Sequence, residues 1–185
     1  MRTKYILHGG FEIGKQDEDN SLFYSEILRE SSQTAQILIV PFAKDEDRII
    51  PSKERVMKEF NKVKDQKEIS FELANKESFL KQLISCDIIY FQGGTTTKLL
   101  NALKEFPDFK NLMECKIIAG ESAGSNVLCS YFYSKSADAV GRGLGFLPLK
   151  IIPHYKPEYK DKFIDIGEEL ENLFLCEYEF KVFYI

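Results

Sequence analysis

The 185-residue chain contains no tryptophan, two histidines and four cysteines. Cys86, Cys115, Cys129 and Cys176 stand far apart, with no C-x-x-C pair and no histidine close enough to complete a zinc site. Neither a disulfide framework nor a metal centre is expected, and the four read as small apolar residues of a reducing compartment. Long apolar runs are also missing. A membrane-spanning helix needs about 20 consecutive apolar residues, whereas the apolar runs here are as short as residues 37–40 and 117–119. Only residues 5–7 separate the basic N-terminus from His8-Gly9-Gly10, too few for the hydrophobic region of a signal peptide. A cytoplasmic location is therefore expected, with no membrane partner. Nor is there an excess of positive charge: 25 Lys+Arg face 29 Asp+Glu, a formal net charge of −4. The basic clusters at 62–67 and 156–162 are interrupted by acids, so a nucleic-acid partner is not expected.

What is present is ordinary soluble composition, 44% hydrophobic and 29% charged. Against about 100–200 residues per domain, residues 1–185 read as one domain, with no repeat, linker or low-complexity tract. Short apolar runs alternate with helical patterns. Residues 5–8, 36–42, 69–73, 87–91, 116–119, 149–152 and 180–185 read as strands. Helices are predicted after the caps Asp19-Asn20-Ser21, from Pro51-Ser52, over 79–84, through Leu99, Leu100 and Leu103, from Ala123 through residue 132, and over 159–175. Residues 134–145 read as irregular. Uniformly apolar strands such as QILIVPF and DIIYF suit a sheet covered on both faces. The alternation predicts an α/β fold, doubly wound, with a mostly parallel sheet and helices on both faces.

In such folds ligands bind beyond the carboxyl ends of the strands. Three glycine-bearing segments lie there: His8-Gly9-Gly10, Gly93-Gly94-Thr95 and residues 120–124. The third, Gly120-Glu121-Ser122-Ala123-Gly124, fits G-x-S-x-G between an apolar strand and a helix, the setting of a nucleophile elbow. There the serine hydroxyl is a candidate nucleophile and the Ala123 amide a candidate oxyanion donor; the alternative is a purely structural turn. With two histidines the search for a base is short. His154 follows a strand 32 residues after Ser122 and is preferred; His8 reads as a turn residue or substrate contact. The diglycine Gly93-Gly94 exposes successive amides, and that of Gly94 is the candidate second donor.

These segments resemble the serine peptidase family of dipeptidase E (alpha-aspartyl dipeptidase) and cyanophycinase. The resemblance rests on Gly93-Gly94-Thr95 after DIIYFQ, Gly120-Glu121-Ser122-Ala123-Gly124-Ser125 after KIIA, and Ile152-Pro153-His154-Tyr155. It implies a class I glutamine amidotransferase-like fold, with Ser122 as nucleophile, His154 as base, and the Gly94 and Ala123 amides as oxyanion hole. Gly93, Thr95 and Thr96 fall at the substrate-binding loop. Dipeptidase E usually carries asparagine where Thr95 stands, so aspartyl specificity does not carry over.

The family also places an acid for the histidine after the last strand of this region. The chain ends at Ile185, within what reads as that strand, so the acid is sought inside the sequence. Asp138 is the first candidate, followed by Glu158 and Asp165; a dyad without an acid is the other option. Glu121 is expected to point away from the site or brace the turn. Lys98, Arg142 and Lys156 are candidate partners for an acidic substrate, or plain surface charges. The expected activity is serine-type hydrolysis of small peptides with no cofactor, the rival being a catalytically impaired member with a binding role. The sheet edge at the C-terminus leaves room for a homodimer.

Overall fold

The computed structural model describes residues 2–11 and 20–185. In chain order the elements are β1 (Lys4–His8), α1 (Ser21–Arg29), β2 (Thr34–Val40), α2 (Glu46–Val63), β3 (Glu68–Leu73), α3 (Phe79–Ser85), β4 (Ile88–Phe91) and α4 (Thr96–Lys104). They continue with β5 (Ile117–Glu121), α5 (Ala123–Leu128), β6 (Cys129–Ser134), β7 (Ala139–Arg142), β8 (Leu147–Pro153), β9 (Glu171–Leu175) and β10 (Phe180–Tyr184). Short 3₁₀ turns occupy Phe109–Met113 and Pro157–Tyr159.

The main sheet has the order β10-β1-β5-β4-β2-β3, parallel throughout except for β10, which pairs antiparallel with β1. Successive strand residues point to opposite faces. Ile6, Ile37, Ile39, Ile88 and Tyr90 pack on α1 and α2, through Phe23, Tyr24, Ile27, Val56 and Phe60. Their neighbours Leu7, Leu38, Val40, Ile89, Phe91 and Ile118 face Leu83 of α3, Leu99 and Leu103 of α4, and Val127 of α5. The α/β expectation of helices on both faces holds for this sheet. Among the described residues no helix is long and apolar enough to cross a membrane.

A second, four-stranded sheet with the order β7-β6-β8-β9 was not expected. Three sequence readings are corrected by it. The helix from Ala123 stops at Leu128, because the aromatic-rich run CSYFYS pairs with β8 as β6. Within residues 134–145, expected to be irregular, residues 139–142 form β7, antiparallel to β6. Residues 159–175, expected to be helical, hold no α-helix. Asp165 (φ 62°) and Gly167 (φ 51°) take left-handed backbone that interrupts a helix, and residues 171–175 join β8 as β9. Helix α2 begins five residues before Pro51, at Glu46, where Glu46 and Asp47 favour the positive end of its dipole. Of the caps predicted for α1, Asp19 lies outside the described residues, and the Asn20 carbonyl accepts the Phe23 and Tyr24 amides.

Phe60 is fully buried, with its ring 4.9 Å from that of Tyr24 and 5.8 Å from that of Tyr90. Phe60→Ala is expected to lower unfolding free energy by about 3–5 kcal/mol in urea titration. A loss under about 1 kcal/mol would contradict the close packing beneath β4.

Candidate active site

Strand β5 ends at Glu121 and α5 begins at Ala123, so Ser122 alone makes the turn between them. Its backbone sits at φ 49°, ψ −101°, a conformation that costs a non-glycine residue about 1–3 kcal/mol. Surrounding contacts hold it there: the Ser122 amide donates to the His8 carbonyl (3.0 Å), and the Asn126 amide to the Ser122 carbonyl (2.9 Å). The elbow also needs its glycines. A Cβ on Gly124 would meet the Phe91 carbonyl at 2.2 Å, and one on Gly120 would meet Gly124 at 2.5 Å. The result is a half-buried hydroxyl at the carboxyl end of the sheet.

His154 follows directly from β8, and its Nε2 lies 3.1 Å from Ser122 Oγ. On the other side of the ring, Nδ1 lies 3.1 Å from Glu177 Oε1. A carboxylate accepts only, so Nδ1 carries the proton and Nε2 is the acceptor facing the serine. Partial burial pushes the Glu177 carboxyl up, but its own backbone N–H and the His154 ring outweigh that and hold it below the ordinary range. The acid therefore stays ionised at neutral pH. Ser122, His154 and Glu177 form one hydrogen-bonded row.

The three loops that carry this row meet at the end of β1. The His8 carbonyl takes the Ser122 amide, the Gly9 carbonyl takes the His154 amide (2.8 Å), and the Gly10 carbonyl takes the Tyr178 amide (2.8 Å). The Gly9 amide returns a bond to the Glu179 carbonyl (2.9 Å). Close approach makes glycine necessary here. A Cβ on Gly9 would lie 2.0 Å from the Cys176 carbonyl, and one on Gly10 (φ 96°) would lie 2.3 Å from His154 Nε2. His8 fixes the segment from beneath, its Nδ1 accepting the Gly10 amide (3.0 Å) while Nε2 faces Asn20 Oδ1 (3.1 Å). Burial pushes the His8 pKa down to about 4, so the ring is neutral and its Nδ1 lone pair remains available.

The Ala123 amide follows the serine directly at the start of α5, and the Gly93-Gly94 turn lies beside the elbow. Gly93 stands against the elbow: a Cβ there would lie 2.8 Å from Glu121 Oε1 and 3.5 Å from Ser122 Cβ. Glu121 is buried between the two loops. Its Oε2 accepts from Tyr90 Oη (2.6 Å) and Arg55 Nη2 (3.2 Å), and Tyr90 Oη in turn lies 3.2 Å from Tyr24 Oη. Burial raises the Glu121 pKa, but Arg55 first and then Tyr90 and Lys44 outweigh it, so the carboxyl titrates below its usual range.

The structure thus brings together Ser122, His154, Gly93 and Ala123 among the expected residues, with Gly94 next in the chain after Gly93 and packed on Ala43. Asp138 is not the histidine's acid. It is exposed in the β6–β7 turn, where it accepts from Tyr133 Oη and Lys162 Nζ (both 2.7 Å). Glu158 lies exposed in a 3₁₀ turn and Asp165 in the left-handed bend after it. Thr95 is exposed beside the diglycine, but Thr96 is buried and its Oγ1 accepts from Asn126 Nδ2 (3.0 Å), tying α4 to α5 rather than facing a ligand. Lys98 pairs with Asp45, and Arg142 lies 5.4 Å over the Tyr131 ring. Sequence reasoning missed Glu177 because β9 was read as helix. Had ENLFL been taken as a strand, the rule that selected His154 would have selected the acid just past its end.

The fold is α/β, of the class I glutamine amidotransferase-like type. The chain belongs to peptidase family S51, whose family model it matches over residues 6–174, and is thereby a serine peptidase. Among solved structures it is similar to a peptidase from an acI-B1 Actinobacterium, with TM-score 0.67, 20% identity, and coverage of 99% of this chain and 84% of that one. It is also similar to a protein assigned as a peptidase E from Listeria monocytogenes EGD-e, with TM-score 0.65, 19% identity, and coverage of 100% and 98%. At those identities the likeness is one of fold. No curated protein matches the chain.

Two outcomes are expected. Gly10→Ala drives a methyl group against the His154 ring and should slow fluorophosphonate labelling of Ser122 by about 100-fold, the usual consequence of a displacement near 1 Å; an unchanged rate would contradict the packing of ring on glycine. The second concerns acid stability. Folding favours neutral His8, so between its ordinary pKa of about 6.5 and its folded value of about 4 the unfolded chain binds more protons. Its contribution is complete above about pH 6.5 and falls by up to about 3 kcal/mol as the pH drops towards 4. Urea titrations at several pH values should show that slope in the wild type and a flatter one in His8→Gln.

Proposed function

We propose that this S51 peptidase hydrolyses small peptides through an acyl-enzyme on Ser122, in the manner of dipeptidase E. His154 takes the Ser122 proton through Nε2 as the hydroxyl attacks the carbonyl carbon. Glu177 holds the imidazole in the Nδ1–H tautomer and stabilises the imidazolium. The amides of Gly94 and Ala123 receive the oxyanion, and Gly93 and Thr95 border the bound substrate. The imidazolium then protonates the leaving amine, and water repeats the sequence on the acyl group. No cofactor takes part in this scheme, and the substrate is a peptide met in the cytoplasm.

The observation that carries the proposal is the unbroken row from Ser122 Oγ through His154 to Glu177, with both links at 3.1 Å. Both distances fall in the range of about 2.6–3.2 Å that proton transfer requires. The rival, an impaired member kept for binding, calls for a serine turned away or an imidazole without an acid, and neither describes this geometry. Thr95, exposed where dipeptidase E has asparagine, makes the preference at the first substrate residue the open variable of this chain.

Hydrolysis of a dipeptide panel varied at its first residue tests the proposal. Ser122→Ala is expected to abolish turnover. Glu177→Gln, which leaves the imidazole in the wrong tautomer, should lower kcat by about 10³–10⁴-fold. Asp138→Ala should leave it unchanged. Full turnover by Ser122→Ala, or equal losses in the Glu177 and Asp138 variants, would contradict the assignment.

A further inference from the structure

Glu121 poses an electrostatic problem for the chemistry just described. Its carboxylate is buried and ionised immediately before Ser122, and Oε1 lies so near Gly93 that a Cβ there would meet it at 2.8 Å, next to the proposed oxyanion hole. A negative charge at that place opposes a second one forming on the substrate oxygen, and a low local dielectric strengthens the opposition. Two groups bond to the carboxylate, Tyr90 Oη as a neutral donor and Arg55 Nη2 at 3.2 Å from Oε2, while the Lys44 ammonium and the His8 ring act on it from further away. Arg55 is the one cation among the described residues that pairs with it directly. The guanidinium is held there from its other sides, Nη1 reaching Tyr24 Oη at 3.5 Å and the plane lying 4.3 Å over the Phe11 ring.

We propose that Arg55 is a positioning residue that acts on the reaction through Glu121: by neutralising this carboxylate it keeps a buried charge from opposing the oxyanion at the Gly94 and Ala123 amides. Glu121 itself joins β4, α2 and the elbow through Tyr90, Arg55 and the Gly93 contact, a task its oxygens perform without bearing charge. Glu121 is buried with its Oε2 occupied, and Arg55 faces Glu121 and Phe11. The inference rests on the acyl-enzyme reading above.

The test is the rate of Ser122 phosphonylation by a fluorophosphonate, resolved into kinact and KI, because the reagent develops negative charge on a phosphoryl oxygen in the same hole. Arg55→Met is expected to lower kinact by about tenfold or more, with KI within about threefold. Glu121→Gln, which keeps one acceptor oxygen for Tyr90 and Arg55 and removes the charge, should leave kinact within about threefold of wild type. The double variant Arg55→Met/Glu121→Gln should return to the Glu121→Gln value. That rescue separates charge compensation from simple bracing, under which the second substitution would add to the damage. Thermal melting accompanies each variant. Should Arg55→Met not fold, Glu121→Gln decides alone: a folded Glu121→Gln with kinact down about tenfold overturns the proposal. So does an unchanged kinact in folded Arg55→Met, a change confined to KI, or a double variant no faster than Arg55→Met. Absence of Ser122 labelling in the wild type would overturn the acyl-enzyme reading itself.

Discussion

Three successive carbonyls at the end of β1 are the constraint on which the site depends. His8, Gly9 and Gly10 each accept one amide, from Ser122, His154 and Tyr178 in turn. These three donors lie on loops that leave β5, β8 and β9, strands of two different sheets. Without a common anchor, small shifts between the sheets would open the 3.1 Å links of the hydrogen-bonded row. A shared strand end converts three independent loops into one rigid edge, because a backbone bond left unmade in this half-buried setting costs roughly 1–3 kcal/mol. The residue types follow from the geometry. Only glycine leaves space at positions 9 and 10 for the Cys176 carbonyl and the His154 ring. Neutral His8 supplies the acceptor that orients Gly10.

The two carboxylates at the site differ by surroundings rather than by type. Glu177 is half-buried, bonds to an imidazole, and stays ionised to orient it. Glu121 is fully buried, bonds to a guanidinium and a phenol, and joins structural elements. Each is kept anionic, but only Glu177 touches the residue that moves the proton. A buried carboxylate stripped of its cation is costly, typically about 3–5 kcal/mol, which fits a network that reaches through Tyr90 and Tyr24 into the packing of α1 and α2.

Much of this was legible in the sequence. Uniformly apolar strands reported the buried parallel sheet, because period-two burial on both faces leaves no polar alternation to disguise it. The elbow was legible because a strained strand-to-helix turn demands small neighbours at Gly120 and Gly124, and a count of two histidines left His154 as the base. Of the second sheet only β8 was legible. β7 and β9 carry polar residues, and SNVLCSYF reads equally well as helix until β8 is present to pair with it. That ambiguity hid Glu177, since the acid is marked only by its place just past β9. The shared anchor on His8-Gly9-Gly10 was hidden for a related reason: backbone hydrogen bonds between distant loops leave no pattern in side-chain chemistry.

The most direct measurement is a crystal structure of the protein after reaction with a fluorophosphonate. The expected adduct has phosphorus bonded to Ser122 Oγ, one phosphoryl oxygen within about 2.7–3.1 Å of both the Gly94 and Ala123 amides, and the His154 ring still bridging to Glu177. An adduct on another residue, or a phosphoryl oxygen directed away from those two amides, would contradict the assignment.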